Sequence, residues 1–266
     1  MPTASAQLTE KVLRSFKLWR LPVRPLDIAA QEGIFVRSGY FGEGFDARIE
    51  FYKSQGAFCI FHAEPGSWRT EGRVKFSLAH ELGHFYLPDH RERLLQGVGH
   101  NSESDYRSRN PAEREADEFA ADLLMPMELF RPELNSFHNG FCTLDDLGRL
   151  AERLGTSLTS TAMRYCASDR EPCTIFFSTG GLMHWGKASQ DMQSLGLYFC
   201  ETNKPPPAGS KTAQLWARLR VGEQPGKIEG RVPAEVWFKW PKATYLWEET
   251  MPLGQNRVIT ELTPDD

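Results

Sequence analysis

Apolar residues recur at helical spacing near the start of the chain, with Leu8, Val12 and Phe16 separated by Lys11, Arg14 and Lys17, and predict a helix over residues 8–18. Pro22 and Pro25 punctuate the chain before a second helix predicted near 26–31. Gly39, Gly42 and Gly44 open onto two short runs rich in Ile, Phe and Tyr, 47–52 and 57–61, and the polar residues 53–56 between them make this a β-hairpin pattern. The helical repeat returns at Arg73 and continues to about Leu87, where Pro88 is expected to stop it. Residues 88–111 are polar, with scattered apolar positions, and read as a long excursion. A strong helix is predicted over 112–125, closed by Pro126. Two more follow over 144–154 and 158–165, separated by Gly155, with Ser157 placed as an N-cap. Beyond Glu171 and Pro172 the texture changes. Runs at 174–178, 195–200, 236–240 and 257–262 resemble strands, 204–210 is a loop, and 213–219 has helical spacing.

Composition changes this picture little. The 266 residues are 40% hydrophobic, 25% charged and 12% aromatic, which excludes disordered, collagenous and low-complexity chains. With 31 Lys and Arg against 35 Asp and Glu, the net charge of -4 gives no chain-wide field for nucleic acid or an anionic membrane, so any such contact is local. No run approaches the length of a transmembrane helix, and residues 1–10 lack a signal-peptide layout, so a cytoplasmic protein without membrane contact is expected. Five cysteines, Cys59, Cys142, Cys166, Cys173 and Cys200, are widely spaced with no C-x-x-C pair, and are expected to be reduced and packed.

The sequence HELGH at 80–84 lies inside the helix that begins near Arg73. Histidines at i and i+4 stand on one helical face and can reach one metal ion, while Glu81 is placed to act on water rather than on the metal. The neighbours Phe76, Leu78, Ala79, Leu82, Phe85 and Tyr86 are apolar, unlike those of an exposed histidine pair. A catalytic zinc takes three protein ligands, so a third must come from elsewhere, and the helix over 112–125 offers Glu113, Glu115, Asp117 and Glu118. The apolar stripe Ala116, Ala120, Leu123 and Leu124 sorts them. Glu113 and Asp117 border the stripe, and Glu115 and Glu118 point to solvent. Glu113 is therefore the expected third ligand, and Asp117 is placed to accept the second ring N–H of a ligand histidine. The chemistry expected is peptide hydrolysis, with Glu81 as the base. Tyr106, His100 and His138 are conceivable oxyanion donors, but nothing in their spacing selects one.

These residues resemble the ImmA/IrrE family of bacterial metallopeptidases. The resemblance is carried by KFSLAHELGHFYLPDH at 75–90 and EREADEFAADLLMP at 113–126, and reaches upstream through GFDARIEF at 44–51. It implies a Zn2+-dependent endopeptidase that cuts a helix-turn-helix repressor of the Xre type and relieves repression of DNA-damage, mobile-element or defence genes. His80, His84 and Glu113 would be its ligands and Glu81 its base. Residues 143–166 resemble the helical pair that follows the peptidase core, but Arg164 is the only basic residue of its second helix, which suits a packing unit better than a DNA reader. The last hundred residues resemble the C-terminal, GAF-like sensor region of longer members. There, Trp237, Trp240, Tyr245 and Trp247 can stack a planar ligand such as single-stranded nucleic acid, or fill a core, and His184 is expected to be structural.

The expected fold is α+β. It comprises a helix-rich zincin-like core with a small sheet over 1–130, a helix-turn-helix-like segment over 131–168, and a mixed, GAF-like domain over 169–266 that binds an activating ligand, either single-stranded nucleic acid or a small molecule. Cys142, near the end of the core, is a candidate thiol for holding the zinc site latent. The competing function is a DNA- or repressor-binding regulator whose zinc site is structural or silent.

Overall fold

The computed structural model describes residues 2–42, 45–66, 70–97, 110–137, 141–197, 201–254 and 256–265. Gly44, His100, Tyr106, His138 and Cys200 lie outside these residues. The chain divides into two compact units, one of Met1–Glu133 with Ala151–Ser157 and the other of Leu134–Leu150 with Leu158–Asp266. The fold is mixed α+β, rich in helix towards the N-terminus and in strand towards the C-terminus.

The first unit begins with α1 (Ala4–Ser15) and α2 (Pro25–Gln31), followed by β1 (Phe35–Gly39), β2 (Ala47–Tyr52) and β3 (Ala57–Ala63). Strands β2 and β3 are the antiparallel hairpin expected from the sequence. β1 was not expected. It pairs parallel to β3, giving the order β1-β3-β2 with β2 at an edge. Its burial pattern is mostly exposed, so it carries no apolar alternation to read. Against this sheet lies α3 (Glu71–Tyr86), capped by the Thr70 side chain, which accepts from the Arg73 N–H. Its buried face includes Phe76, Leu78, Leu82 and Phe85, and Phe85 meets Phe58 of β3 edge to face.

Pro88 does stop α3, but it also starts α4 (Pro88–Leu95), where its missing N–H is one that a first turn leaves unpaired anyway. The expected excursion is thus helical in its first third, and 98–109 lie outside the described residues. α5 (Pro111–Leu124) is capped by the Asn110 side chain, which accepts from Ala112. α6 (Met127–Asn135) was not expected, because Pro126 and Pro132 mask its helical spacing. Residues 151–157 belong to this unit for local reasons. The Lys75 ammonium donates to the Leu154 carbonyl at 2.6 Å, and a Cβ on Gly72 would stand 2.6 Å from the Thr156 carbonyl carbon.

Helices α7 (Leu144–Leu154) and α8 (Leu158–Ala167) form where the sequence places them. In the second unit β4 (Thr174–Thr179), β5 (Leu182–Ala188), α9 (Gln190–Ser194), α10 (Lys211–Arg220), β6 (Ile228–Pro233), β7 (Tyr245–Gly254) and β8 (Arg257–Pro264) follow. The strands make one antiparallel sheet, ordered β5-β4-β8-β7-β6. One face carries Phe176, Leu246 and Leu262 into a core with Met183, Met192 and Trp237, while α8 packs on β4 and β5.

Two expected strands are corrected here. The strand over 195–200 is absent from its described part, because Leu195 caps α9, a short helix started by the Ser189 side chain. The strand over 236–240 is replaced by a 3-10 turn, Ala234–Val236, which sends Trp237 inward to stack on Phe176 at 5.0 Å. The aromatic density there serves the core rather than a ladder.

Candidate metal centre

His80 and His84 share one face of α3, and α5 crosses that face closely enough to bring Glu113 over them. Gly83 permits the approach. A Cβ there would stand 3.2 Å from both Cα and O of Ala116 and 3.3 Å from the Phe119 ring. Ala116, itself fully buried, is the small residue on the facing helix. The G and A of the two motifs are thus as structural as the histidines, since larger side chains at either position separate the helices and lift Glu113 away.

The donor atoms converge. His80 Nε2 and His84 Nε2 are 3.0 Å apart, with Glu113 oxygens 3.3 Å from the first and 3.7 Å from the second. Ligands around a tetrahedral ion at zinc-like bond lengths are separated by about 3.4 Å, so the spacing fits one small divalent cation without rearrangement. All three residues are buried, and among the described residues they are the group of His, Cys, Asp and Glu side chains whose donors come together in this way. The charge balance points the same way. Glu81, Glu113 and Asp117 gather around two imidazoles, so the site is short of positive charge. Burial by itself lowers the His80 pKa, but the hydrogen bonds to Asp117 and Glu113 and the charge of Glu81 overrule it and push it up to about 10.

The remaining ring nitrogens are also held. His80 Nδ1 donates to Asp117 Oδ1 at 2.8 Å, which leaves Nε2 free to face the Glu113 and His84 donors. His84 Nδ1 meets His90 Nδ1 at 3.0 Å, and His90 Nε2 approaches Glu115 Oε2 at 3.3 Å. If His84 ligates through Nε2, its Nδ1–H donates to His90, and the His90 Nε2–H then faces a carboxylate. This second chain of contacts is absent from the sequence reading. His90 sits across Pro88, where the helical repeat ends, and Glu115 is 60% exposed along its side chain, so neither shows a ligand-like pattern. The six-residue step from His84 to His90 is the signal that was available.

Glu81 is fully buried, and its Oε2 accepts the backbone N–H of Ile49 at 2.9 Å, tying the carboxylate to edge strand β2. Arg73 grips buried Asp46 just upstream of that strand, with Nη2 to Oδ2 at 2.6 Å and Nε to Oδ1 at 3.2 Å. The strand and the helix that carry the site are thus fixed to each other at two points. Cys142 belongs to the second unit. There burial, only partly offset by the Arg170 charge, pushes its thiol up to about 12, so within its own surroundings it is a thiol and not a thiolate. His184 lies on β5 and meets Phe177 edge to face.

Comparison with known proteins agrees with this geometry. A Mycobacterium tuberculosis transcriptional regulator of known structure shares the fold with a TM-score of 0.58 at 12% identity, over 98% of this chain and 75% of that one. At that identity the likeness concerns the fold alone. No curated protein sequence matches the chain. Residues 66–165, about two fifths of the chain, match the model of the IrrE N-terminal-like domain, a peptidase family, and this stretch spans α3 to α8 with His80, Glu81, His84 and Glu113 inside it. Residues 66–165 thus match an IrrE N-terminal-like domain, and the buried His80, His84 and Glu113 within the matched stretch form a group compatible with a metal site.

Proposed function

We propose that the chain is a zinc-dependent endopeptidase that cleaves a helix-turn-helix repressor of the Xre type and so releases stress, mobile-element or defence genes. The observation that carries the reading is the convergence of His80, His84 and Glu113 beside a buried, backbone-anchored Glu81 within an IrrE-like domain. His80, His84 and Glu113 would hold the ion, whose Lewis acidity polarises a peptide carbonyl and acidifies water. Asp117 and His90 keep the two imidazoles in the tautomer and orientation that ligation needs. Glu81 takes the proton of the attacking water and returns it to the leaving amine, a role its position next to His80 and its anchoring by Ile49 both favour. Edge strand β2 passes Glu81 at Ile49, so an extended substrate segment can align along it by main-chain hydrogen bonds.

The repressor as substrate follows from the family likeness, and the fold shared with a transcriptional regulator suits a role in gene control. The strand-rich unit is then the place for an activating ligand. Zinc-loaded protein incubated with an Xre-like repressor encoded beside its gene, with and without single-stranded DNA, is expected to yield two defined fragments. Glu81→Gln should keep the fold and the metal and cut at least about a hundredfold more slowly. Cleavage by that variant at the wild-type rate would remove Glu81 from the mechanism.

A further inference from the structure

The second unit holds an acidic cavity that hydrolysis does not use. On β7 and β8, Trp247 pairs across the ladder with Thr263, and Glu249 with Glu261. These four side chains share the sheet face opposite Leu246 and Leu262, which enter the core. Together with Phe141, Cys142 and Thr143 they line a cavity of about 230 Å³.

Two glutamates facing each other across a ladder repel, and only one of them is compensated. Glu249 Oε2 accepts the Leu144 N–H at 3.0 Å and lies 3.4 Å from the Lys227 ammonium. Glu261, on the central strand, is 2% exposed, and neither of its carboxylate oxygens has a hydrogen-bond partner among the described residues. Burial, Glu249, the Cys166 thiol, Glu171 and Asp146 all push its carboxyl well above the usual range. The ladder does not require an acid at this position, since its partner on β4 is Ile175. A buried carboxyl that lacks a partner and lines a cavity is the mark of a group waiting for a ligand.

The missing partner is a cation larger than a bare metal ion. Among the described residues three donor atoms converge only at His80, His84 and Glu113. Two of the other lining residues are aromatic, Phe141 at 46% and Trp247 at 38% exposed, and Asp265 adds a further acid. Carboxylates backed by aromatic faces receive ammonium and guanidinium groups through charged hydrogen bonds and cation–π contact. The volume is below the roughly 300–1,000 Å³ typical of sites for larger ligands. We propose that this cavity binds a small organic cation, a primary amine or a guanidinium, which Glu261 and Glu249 engage and Trp247 and Phe141 flank. The proposal is independent of the peptidase reading.

Titration of the full chain with agmatine and with methylguanidinium at constant ionic strength, followed by calorimetry and tryptophan fluorescence, tests it. Saturable binding of one cation per chain is expected, weakened at least about tenfold by Glu261→Gln and reduced by Trp247→Leu. His80→Ala should leave it unchanged, which separates this cavity from the acidic metal group. Should Glu261→Gln fail to fold, the partly exposed Trp247 decides the matter. Absence of saturable binding at millimolar concentrations overturns the proposal, as does equal affinity in Glu261→Gln or, where that variant fails, in Trp247→Leu. If an internal arginine in an otherwise uncharged peptide bound as tightly as agmatine, the ligand would be a partner's side chain and not a free small cation.

Discussion

At the scale of single residues, the proposed metal site depends on contacts one step removed from its candidate ligands. Asp117 fixes His80 through Nδ1, and His90 does the same for His84. Losing such a contact frees a ring to rotate and lowers its basicity, typically weakening metal binding by about 10–100-fold. Asp117→Ala and His90→Ala should each fall in that range in a competitive zinc titration. Variants that bind zinc as the wild type does would reduce both residues to packing roles.

Lys75 provides a separate residue-scale prediction. Burial first, and then the Arg24 charge, lower its pKa to about 8 from an ordinary 10.5, while its Nζ donates to the Leu154 carbonyl. The unfolded chain therefore holds more protons than the folded one between these values, and folding stability attributable to Lys75 rises as pH increases from about 8 to 10.5. Below that window the cost of burying the ammonium is fully present. Denaturant unfolding of wild type and Lys75→Met should show the difference narrowing or widening only across this window, in the direction of a wild type that gains with pH. A difference independent of pH would contradict the lowered value.

At the scale of elements, the crossing of α3 and α5 decides whether the ligands meet. Gly83→Ala places a Cβ 3.2 Å from the Ala116 backbone, and overpacking of this kind usually costs about 1–3 kcal/mol. The expected outcome is a lower denaturation midpoint together with weaker zinc binding, because relaxation of the clash carries Glu113 away from the histidines. Full zinc affinity in Gly83→Ala would show that the crossing is less tight than the two small residues suggest.

The same crossing shows what was legible in the sequence. The i, i+4 histidines and the apolar stripe of α5 are periodic, so α3, α5, Glu113 and Asp117 could be read from spacing. The contacts of His90 and Ile49 arise where periodicity breaks, at a proline-started helix and at a strand whose backbone N–H, not its side chain, makes the contact. β5, β6 and β7 were hidden for a related reason. Glycine, charge and threonine interrupt their alternation, and β7 and β8 bury acids on both faces, Glu248 on one and Glu249 and Glu261 on the other. Glu248 is tolerated because Thr212 and the Trp237 ring N–H donate to it. Such satisfaction by distant residues leaves no local pattern.

At the scale of the whole molecule, the three proposed ligands all lie in the first unit, so metal binding there would stabilise that unit by mass action. At a hundredfold excess over the dissociation constant the gain is about 2.7 kcal/mol. Hydrogen exchange with and without a chelator should therefore show lost protection in α3 and α5, while the sheet β4–β8 retains its own. Uniform loss across both units, or none in α3 and α5, would contradict a site confined to the first. No helix among the described residues is long and apolar enough to cross a membrane.

The central claim is that His80, His84 and Glu113 together hold one divalent ion. Elemental analysis of the purified full chain, repeated on Glu113→Ala after both have been checked for a native circular dichroism spectrum, tests this directly. One zinc per chain in the wild type, and little or none retained by folded Glu113→Ala after dialysis, is the predicted result. A wild type that binds no metal when zinc is supplied, or a Glu113→Ala variant that holds it as tightly, would contradict the account.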